Sequence, residues 1–215
     1  MCRLTTHCSL FALAVLMAGC GASSVKQTWK DPGYTGGPVR KVAVLTVEER
    51  PMLRQALENR FRNQLEKGGQ PAAVTHELLT LPEIKENREA AAARLREAAA
   101  DSVLIVRLVD SQTRAREVRA TPALFAPVTT GIGTDYGYHG WYDYYSVAFM
   151  DMGTVWGSLE QRVYLESSLF DLTSGKRLWS GLTETTFKDN QDRLEEADVL
   201  VGKVLAAMRK DQLVR

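Results

Sequence analysis

Lys41-Val42-Ala43-Val44-Leu45-Thr46-Val47 is a nearly continuous run of apolar and β-branched residues. Such a run predicts a strand that is buried on both faces, as in a parallel sheet. Ser102-Val103-Leu104-Ile105-Val106-Arg107-Leu108-Val109 predicts another strand of the same kind. Helical patterns separate the two strands, and this order favours parallel pairing through crossover helices.

The segment between these two strands predicts two helices and a short strand. Pro51 suits the first position of a helix, and Gly68-Gly69 suits its end. Ala72 to Thr75 is predicted as a strand, and Pro82 opens the second helix. The predicted apolar stripes are Leu53, Leu57, Phe61 and Leu65 in the first helix and Ile84, Ala91, Leu95 and Ala98 in the second.

The second half of the chain predicts an antiparallel hairpin and a final helix. Arg162 to Leu172 and Lys176 to Phe187 alternate in polarity around the turn Thr173-Ser174-Gly175. Gln112 to Ala120 is predicted as a charged edge strand that includes Arg114, Arg116 and Arg119. A capping box of Asp192 and Glu195 begins a helix with the apolar stripe Leu194, Ala197, Val201, Val204, Leu205 and Met208. The predicted fold is therefore α/β (α+β): one small domain with a mixed sheet, a βαβαβ start, an antiparallel β-hairpin and a C-terminal helix.

The first twenty residues have the pattern of a targeting signal. Arg3 is followed by an uncharged apolar run from Leu10 to Ala18. This run is about half of the roughly 20 residues that a transmembrane helix needs. An ordinary cleaved signal with a chance cysteine at the junction is the other alternative. Leu16-Met17-Ala18-Gly19-Cys20 resembles the lipobox of bacterial lipoproteins.

The lipobox resemblance implies that residues 1–19 are a signal peptide and that Cys20 becomes a lipidated N-terminus. It would carry a thioether diacylglycerol and an N-acyl chain such as palmitate, and several acyl chains make a lasting anchor. Gly21, rather than Asp, follows the cysteine, which implies the outer membrane. The predicted organisation is a lipidated tether at 20–38 and a globular α/β domain at 39–215.

The charge balance argues against one class of partner. The chain has 27 Lys and Arg and 26 Asp and Glu, and the signal peptide contains only Arg3, so the mature net charge is 26 − 26 = 0. A nucleic-acid binder normally has a basic surplus, and we expect no nucleic-acid partner. Cys2 and Cys8 lie in the signal peptide, so the mature chain has no thiol for a disulfide once Cys20 is lipidated.

A Gly-rich aromatic insertion at 121–157 interrupts the regular pattern. Long loops inside compact domains are usually either functional or disordered, and Tyr and Trp are favoured in recognition surfaces. The predicted partner-binding residues are Tyr136, Tyr138, His139, Trp141, Tyr142, Tyr144 and Tyr145. The alternatives are an insertion that folds back on the sheet, a glycan contact and a membrane-surface contact.

The sequence shows no catalytic or metal-binding pattern, and we expect neither an enzyme, a metal nor a small-molecule cofactor. His76 and His139 have no His or Cys nearby at metal-ligand spacing. His76 is predicted to be a surface residue or a half-buried one with satisfied hydrogen bonds. Glu48-Glu49 follows the first parallel strand, where α/β sheets often bind ligands. A solvated loop at the start of the next helix is the other interpretation.

Several segments together resemble a family of uncharacterised bacterial envelope lipoproteins. They are Trp29-Lys30-Asp31-Pro32, the stretch from Ala99 to Leu104, and the hairpin from Leu165 to Ser180. The element order is similar to the α/β domain of the TolB amino-terminal region, the curli secretion lipoprotein and the penicillin-binding-protein activator lipoproteins. The lipobox, the absence of a catalytic pattern and the aromatic insertion favour a non-enzymatic, outer-membrane-anchored periplasmic lipoprotein that serves as a binding or adaptor module for an envelope protein. An activator of a peptidoglycan synthase is the alternative, and an envelope enzyme is a further one.

Overall fold

A computed structural model describes residues 23–113, 160–188 and 193–215. The described elements form one small α/β domain, as predicted. The strands are β1 (Ser23–Lys30), β2 (Val42–Val47), β3 (Ala72–Val74), β4 (Ser102–Thr113), β5 (Glu160–Asp171) and β6 (Arg177–Lys188). The α-helices are α1 (Pro51–Lys67), α2 (Leu81–Glu86), α3 (Arg88–Glu97) and α4 (Arg193–Lys210), and a 3-10 turn spans Thr75–Glu77.

The sheet is mixed, with the strand order β1-β6-β5-β4-β2-β3. β2 pairs in parallel with both β3 and β4, and β4, β5, β6 and β1 pair in antiparallel fashion. Every residue of β2 is buried, which confirms the prediction of a strand covered on both faces. The chain passes from β2 first to β3 on one side and then to β4 on the other, so the strand order reverses at the carboxyl end of β2.

Two hydrophobic cores cover opposite faces of the sheet. Val44 packs with Phe61 of α1 and Val201 of α4 in one core. Leu45, the next residue of β2, packs with Leu95 of α3 in the other core. Successive residues of a strand point to opposite faces, so the unbroken apolar run of β2 supplies both cores. The result is a three-layer arrangement with α1 and α4 on one side and α2 and α3 on the other.

The buried face of α1 differs from the predicted one. Leu53 and Leu57 are only half-buried, and the buried residues of the helix are Arg54, Glu58, Phe61 and Leu65. A helix turns about 100° per residue, so steps of four residues rotate steadily away from any one face. The buried residues are spaced by four, three and four positions, which keeps them on one face of the helix. Two of them, Arg54 and Glu58, are charged.

The second predicted helix is two helices, because Asn87 breaks it. Asn87 has φ −143° and ψ 92°, and its side chain accepts a hydrogen bond from the Ala90 backbone N–H at 3.0 Å. Asn is a favoured N-cap because its side-chain oxygen satisfies a free amide of the first turn. Ile84, Ala91 and Leu95 are buried as predicted, and the fourth member of the stripe is half-buried.

The prediction of an irregular tether at 20–38 is wrong for residues 23–30. β1 pairs with β6 from Ser23 opposite Thr185 to Lys30 opposite Trp179, with one bulge after Val25. The Ser23 and Thr185 hydroxyls form a buried hydrogen bond of 3.0 Å. β1 thus belongs to the sheet, and its polar composition hides it in the sequence because an edge strand does not need an apolar run.

The other predicted elements agree with the structure where it describes them. Gly69 and Gly175 adopt positive φ angles of 76° and 72°, at the end of α1 and in the β5–β6 turn. β4 continues through Gln112 and Thr113, which pair with Arg162 and Gln161 of β5, beyond the last residue of β4 that pairs with β2. The α4 stripe from Ala197 to Met208 is buried as predicted. Among the described helices, none is long and apolar enough to cross a membrane.

A glycine under the buried indole of Trp179 provides a test of this packing. A Cβ built on Gly181 would lie 2.4 Å from Cη2 of Trp179, whereas one on Gly37 meets no atom within 4 Å. We expect Gly181→Ala to lower the free energy of unfolding by about 1–3 kcal/mol, because the ring has to shift in a packed core. Gly37→Ala, the control, should change it by less than about 1 kcal/mol. Urea titration of both variants measures this, and equal effects would contradict the packing.

Candidate functional site

Polar side chains converge at the carboxyl ends of β2 and β3, around the buried carboxylate of Glu58. Its Oε1 accepts hydrogen bonds from the Thr46 backbone N–H (3.1 Å), Arg54 Nε (2.9 Å) and Thr75 Oγ1 (3.0 Å). Its Oε2 accepts one from the His76 backbone N–H (2.7 Å) and lies 2.9 Å from His76 Nδ1. Five polar groups from four residues therefore surround the carboxylate, whose two oxygens offer about four lone-pair sites. Its hydrogen-bonding capacity is fully used.

The guanidinium of Arg54 extends this network beyond the carboxylate. Its Nη2 donates to Thr75 Oγ1 at 2.9 Å and to the Leu79 carbonyl at 3.1 Å. The Arg54 and Glu58 side chains are only 7% and 0% exposed. Burying two charges is costly, and only close pairing with further hydrogen bonds offsets the cost. We infer that this network joins β2, α1 and the turn after β3 into one unit.

His76 is half-buried with its Nδ1 side satisfied, which confirms the prediction made for it. The ring is held by Glu58, and Nε2 lies 3.9 Å from Oε1 of Glu77. A histidine beside a carboxylate also occurs in nucleophilic catalysis, where a hydroxyl or thiol must be free to attack. The nearby Thr75 hydroxyl donates its only proton to Glu58 and accepts from Arg54. This geometry serves structure rather than nucleophilic chemistry.

A second buried ion pair links β4 to β5. Arg107 and Glu166 are direct cross-strand partners, with Nε and Nη2 at 2.9 Å and 2.7 Å from Oε2. Their side chains are 4% and 6% exposed. Ser168 Oγ donates to the other carboxylate oxygen at 3.4 Å. Arg107 also pairs with Val47, the last residue of β2, so the ion pair lies level with the carboxyl end of the parallel strands.

Glu48 of the predicted Glu48-Glu49 pair is held by its own loop. Glu48 accepts hydrogen bonds from the backbone N–H of Arg50 (3.0 Å) and from its Nε (2.8 Å) and Nη2 (2.7 Å). Burial raises the pKa of Glu48, but these bonds and the charge of Arg50 together lower it below its ordinary value. Glu49 is exposed. The geometry supports the solvated-loop interpretation over a ligand-binding one.

These acidic groups are arranged for stability rather than for proton transfer. A general acid or base needs an atom that is free to reach a substrate. Glu48, Glu58 and Glu166 instead each hold an arginine within 3 Å. Within the described ranges, no group of three or more His, Cys, Asp and Glu side chains is placed to hold a metal ion.

An open groove of about 550 Å³ runs between the edge strand β1 and α4. Ser23 to Thr28 line it on the strand side, and Lys203, Ala206, Ala207, Lys210 and Asp211 line it on the helix side. The two alanines leave the space open because their side chains are short. Lys203 and Lys210 are exposed, and neither has an ion pair or hydrogen bond within the described part of the chain. We define these residues as the β1–α4 groove.

Most of the predicted site residues lie outside the described residues. They are Cys20, the aromatic set Tyr136, Tyr138, His139, Trp141, Tyr142, Tyr144 and Tyr145, and the arginines Arg114, Arg116 and Arg119. Sequence reasoning missed both buried ion pairs and the lysines of the groove. Two features of the sequence could have indicated the ion pairs. Arg107 is a charge inside an apolar strand, and Arg54 and Glu58 are an Arg–Glu pair four residues apart in α1.

No protein-family model matches the chain, and neither does any curated protein. Similar solved structures include the PelC dodecamer from Paraburkholderia phytofirmans, with a TM-score of 0.49, 16% identity, and coverage of 90% of this chain and 99% of that one. A point variant of that dodecamer has a TM-score of 0.46, 17% identity, and coverage of 84% and 95%. Lipoprotein GNA1162 from Neisseria meningitidis has a TM-score of 0.41, 12% identity, and coverage of 79% and 96%. Likenesses this weak do not transfer a site or an assembly.

The buried network predicts a large difference between two conservative substitutions. Glu58→Gln leaves the buried guanidinium of Arg54 without its counter-charge, and we expect a loss of about 3–5 kcal/mol in the free energy of unfolding. Glu77→Gln removes an exposed carboxylate that pairs with Arg62 at 2.9 Å, and it should cost less than about 1 kcal/mol. Chemical denaturation of both variants measures the difference. Losses of similar size would show that Glu58 has no special structural role.

Proposed function

We propose that the chain is a bacterial envelope lipoprotein, anchored through Cys20 in the outer membrane with its α/β domain in the periplasm. In this proposal it acts without catalysis, as a binding or adaptor module for another envelope protein. The observation that carries the proposal is Leu16-Met17-Ala18-Gly19-Cys20, which matches a lipobox at the end of a short apolar run.

The position of β1 fits an anchored domain. Ser23, three residues after Cys20, is already paired with β6. A fully extended chain spans about 3.5 Å per residue, so Cys20 lies within about 10 Å of Ser23. A domain whose first strand begins this close to a lipid would remain next to the membrane surface. This arrangement suits a protein that presents a binding surface at the membrane.

The chemistry of the described residues supports a binding role over an enzymatic one. The carboxylates at the carboxyl end of the parallel sheet are each bound by an arginine, and the Glu58 carboxylate also accepts two backbone N–H groups. These are the positions at which an α/β sheet most often places its reactive groups. Their use in structural ion pairs favours a surface, rather than this edge, as the functional part of the molecule.

The aromatic residues of the 121–157 insertion are the proposed partner contacts. Trp141, Tyr142, Tyr144 and Tyr145 bring large rings with polar tips into a Gly-rich segment. Rings of this kind gain contact area at a low cost in side-chain entropy, and they are enriched at protein interfaces.

The lipid anchor predicts the behaviour of a single-atom variant. Cys20→Ser replaces the sulfur that would form the thioether, so lipid incorporation should be lost and the protein should leave the detergent phase. Metabolic labelling with a fatty acid and detergent phase partition measure these two properties. Gly37→Ala, where an added Cβ meets no atom within 4 Å, provides a control that leaves Cys20 in place and should partition like the parent protein. Retention of label and membrane association by Cys20→Ser would rule out the proposed anchor.

The partner-binding role predicts separate effects on stability and on binding. Replacing Trp141, Tyr142, Tyr144 and Tyr145 by Ser should change the melting temperature by only a few degrees, about 1 kcal/mol or less, because these rings are not expected to form the core. The same variant should lose most of the envelope protein that crosslinks to the parent. Recovery of a peptidoglycan synthase would favour the alternative role as its activator. A large fall in melting temperature would show instead that the rings belong to the core.

A further inference from the structure

The β1–α4 groove carries more positive charge than the chain as a whole. Its charged lining residues are Lys26, Lys203, Lys210 and Asp211, which gives a net charge of 3 − 1 = +2. The expected net charge of the whole mature chain is zero. Lys26 is paired with Glu184 at 3.2 Å, whereas Lys203 and Lys210 have no partner in the described part of the chain. The groove is therefore suited to an anionic ligand.

The two lysines are spaced along one side of α4. They are seven residues apart, which is two helical turns or about 10 Å. Ala206 lies between them and is exposed. The short side chain leaves both ammonium groups accessible to a surface. Two ammonium groups that are carried two turns apart on one side of a helix suit an array of anions such as a membrane surface.

The groove also lies close to the proposed lipid. Its strand side begins at Ser23, three residues after Cys20. β1 is the edge strand of the sheet, so no described strand lies outside it. The bulge after Val25 and the exposed charge of Lys26 are features that discourage pairing with the strand of another molecule. A membrane surface fits this edge better than a second copy of the chain.

We propose that the β1–α4 groove rests on the phosphate headgroups of anionic phospholipids, in the membrane that holds the acyl chains of Cys20. This inference rests on the proposed lipid anchor and adds an orientation to it: the domain lies with its β1 edge against the membrane. A basic side chain near an anionic membrane surface favours the contact by about fivefold, so two lysines favour it by about 25-fold. That preference is enough to orient a domain that the lipid already holds.

The test uses the lipidated protein reconstituted in vesicles. Beyond Cys20 the mature chain has no cysteine, so a single introduced thiol can be labelled with a fluorophore. Ala206→Cys places the label in the groove. Ala90→Cys places the label on α3, which packs on the opposite face of the sheet. Position 90, like position 206, is exposed. A nitroxide on the lipid headgroups should quench the label at position 206 and leave the label at position 90 bright.

Charge variants separate this contact from simple proximity. In vesicles that contain phosphatidylglycerol, Lys203→Gln with Lys210→Gln should shift the equilibrium away from the quenched orientation by about 25-fold. Lys67→Gln with Lys176→Gln removes the same charge from exposed sites outside the groove and should leave the quenching unchanged. Vesicles of phosphatidylcholine alone should give weak quenching with every variant.

Each of the following outcomes would overturn the proposal. Equal quenching at positions 206 and 90 would show that the domain has no preferred orientation. Equal quenching in phosphatidylglycerol and phosphatidylcholine would show that charge does not matter. Release of the contact by excess inorganic phosphate, at matched ionic strength, would indicate a site for a soluble anion. If the protein is anchored but the label at position 206 is not quenched, only the proposed orientation is refuted. If the protein fails to enter the vesicles, the proposed anchor and the orientation are refuted together.

Discussion

The antiparallel pairing of β1 with β6 is the constraint on which the functional interpretation depends. It makes the segment next to Cys20 part of the sheet from Ser23 onward. Without it, the domain would hang on a tether of nearly twenty residues and could turn freely. With it, the outer edge of the sheet and the β1–α4 groove are held close to the proposed lipid. The orientation of the domain then depends on which side chains line that edge.

The carboxyl end of the parallel strands is occupied by structural ion pairs. β2 ends where the strand order reverses, which is the usual ligand position of α/β sheets. Here Glu58 ties this end to α1 and to the turn after β3, and the Arg107–Glu166 pair lies level with it. Buried charges of this kind are stable only when each is fully paired. The edge that could have held a substrate is therefore held together by its own ion pairs.

The sequence predicted the elements whose residues are apolar on one or both faces. The runs in β2 and β4, the β5–β6 hairpin with Gly175 in its turn, and the stripe of α4 all have a periodic pattern. β1 escaped prediction because it is polar and because the residues it pairs with in β6 are 149 to 162 positions away in the sequence. Arg54 and Glu58 lie outside the apolar stripe that was predicted for α1, and their burial depends on Thr75 and His76, which follow β3 in the chain. Contacts between distant segments leave no local pattern to detect.

Backbone hydrogen exchange across β1 tests the central claim most directly. The membrane-bound protein would be placed in deuterated buffer, and exchange would be followed in peptides that cover residues 23–30 and 177–188. If β1 is a strand of the sheet, its amides that bond to β6 should exchange far more slowly than those of an unstructured chain, at rates close to those of β6. Rapid exchange throughout residues 23–30, together with slow exchange in β6, would show that the domain is attached through a free tether and would contradict this account.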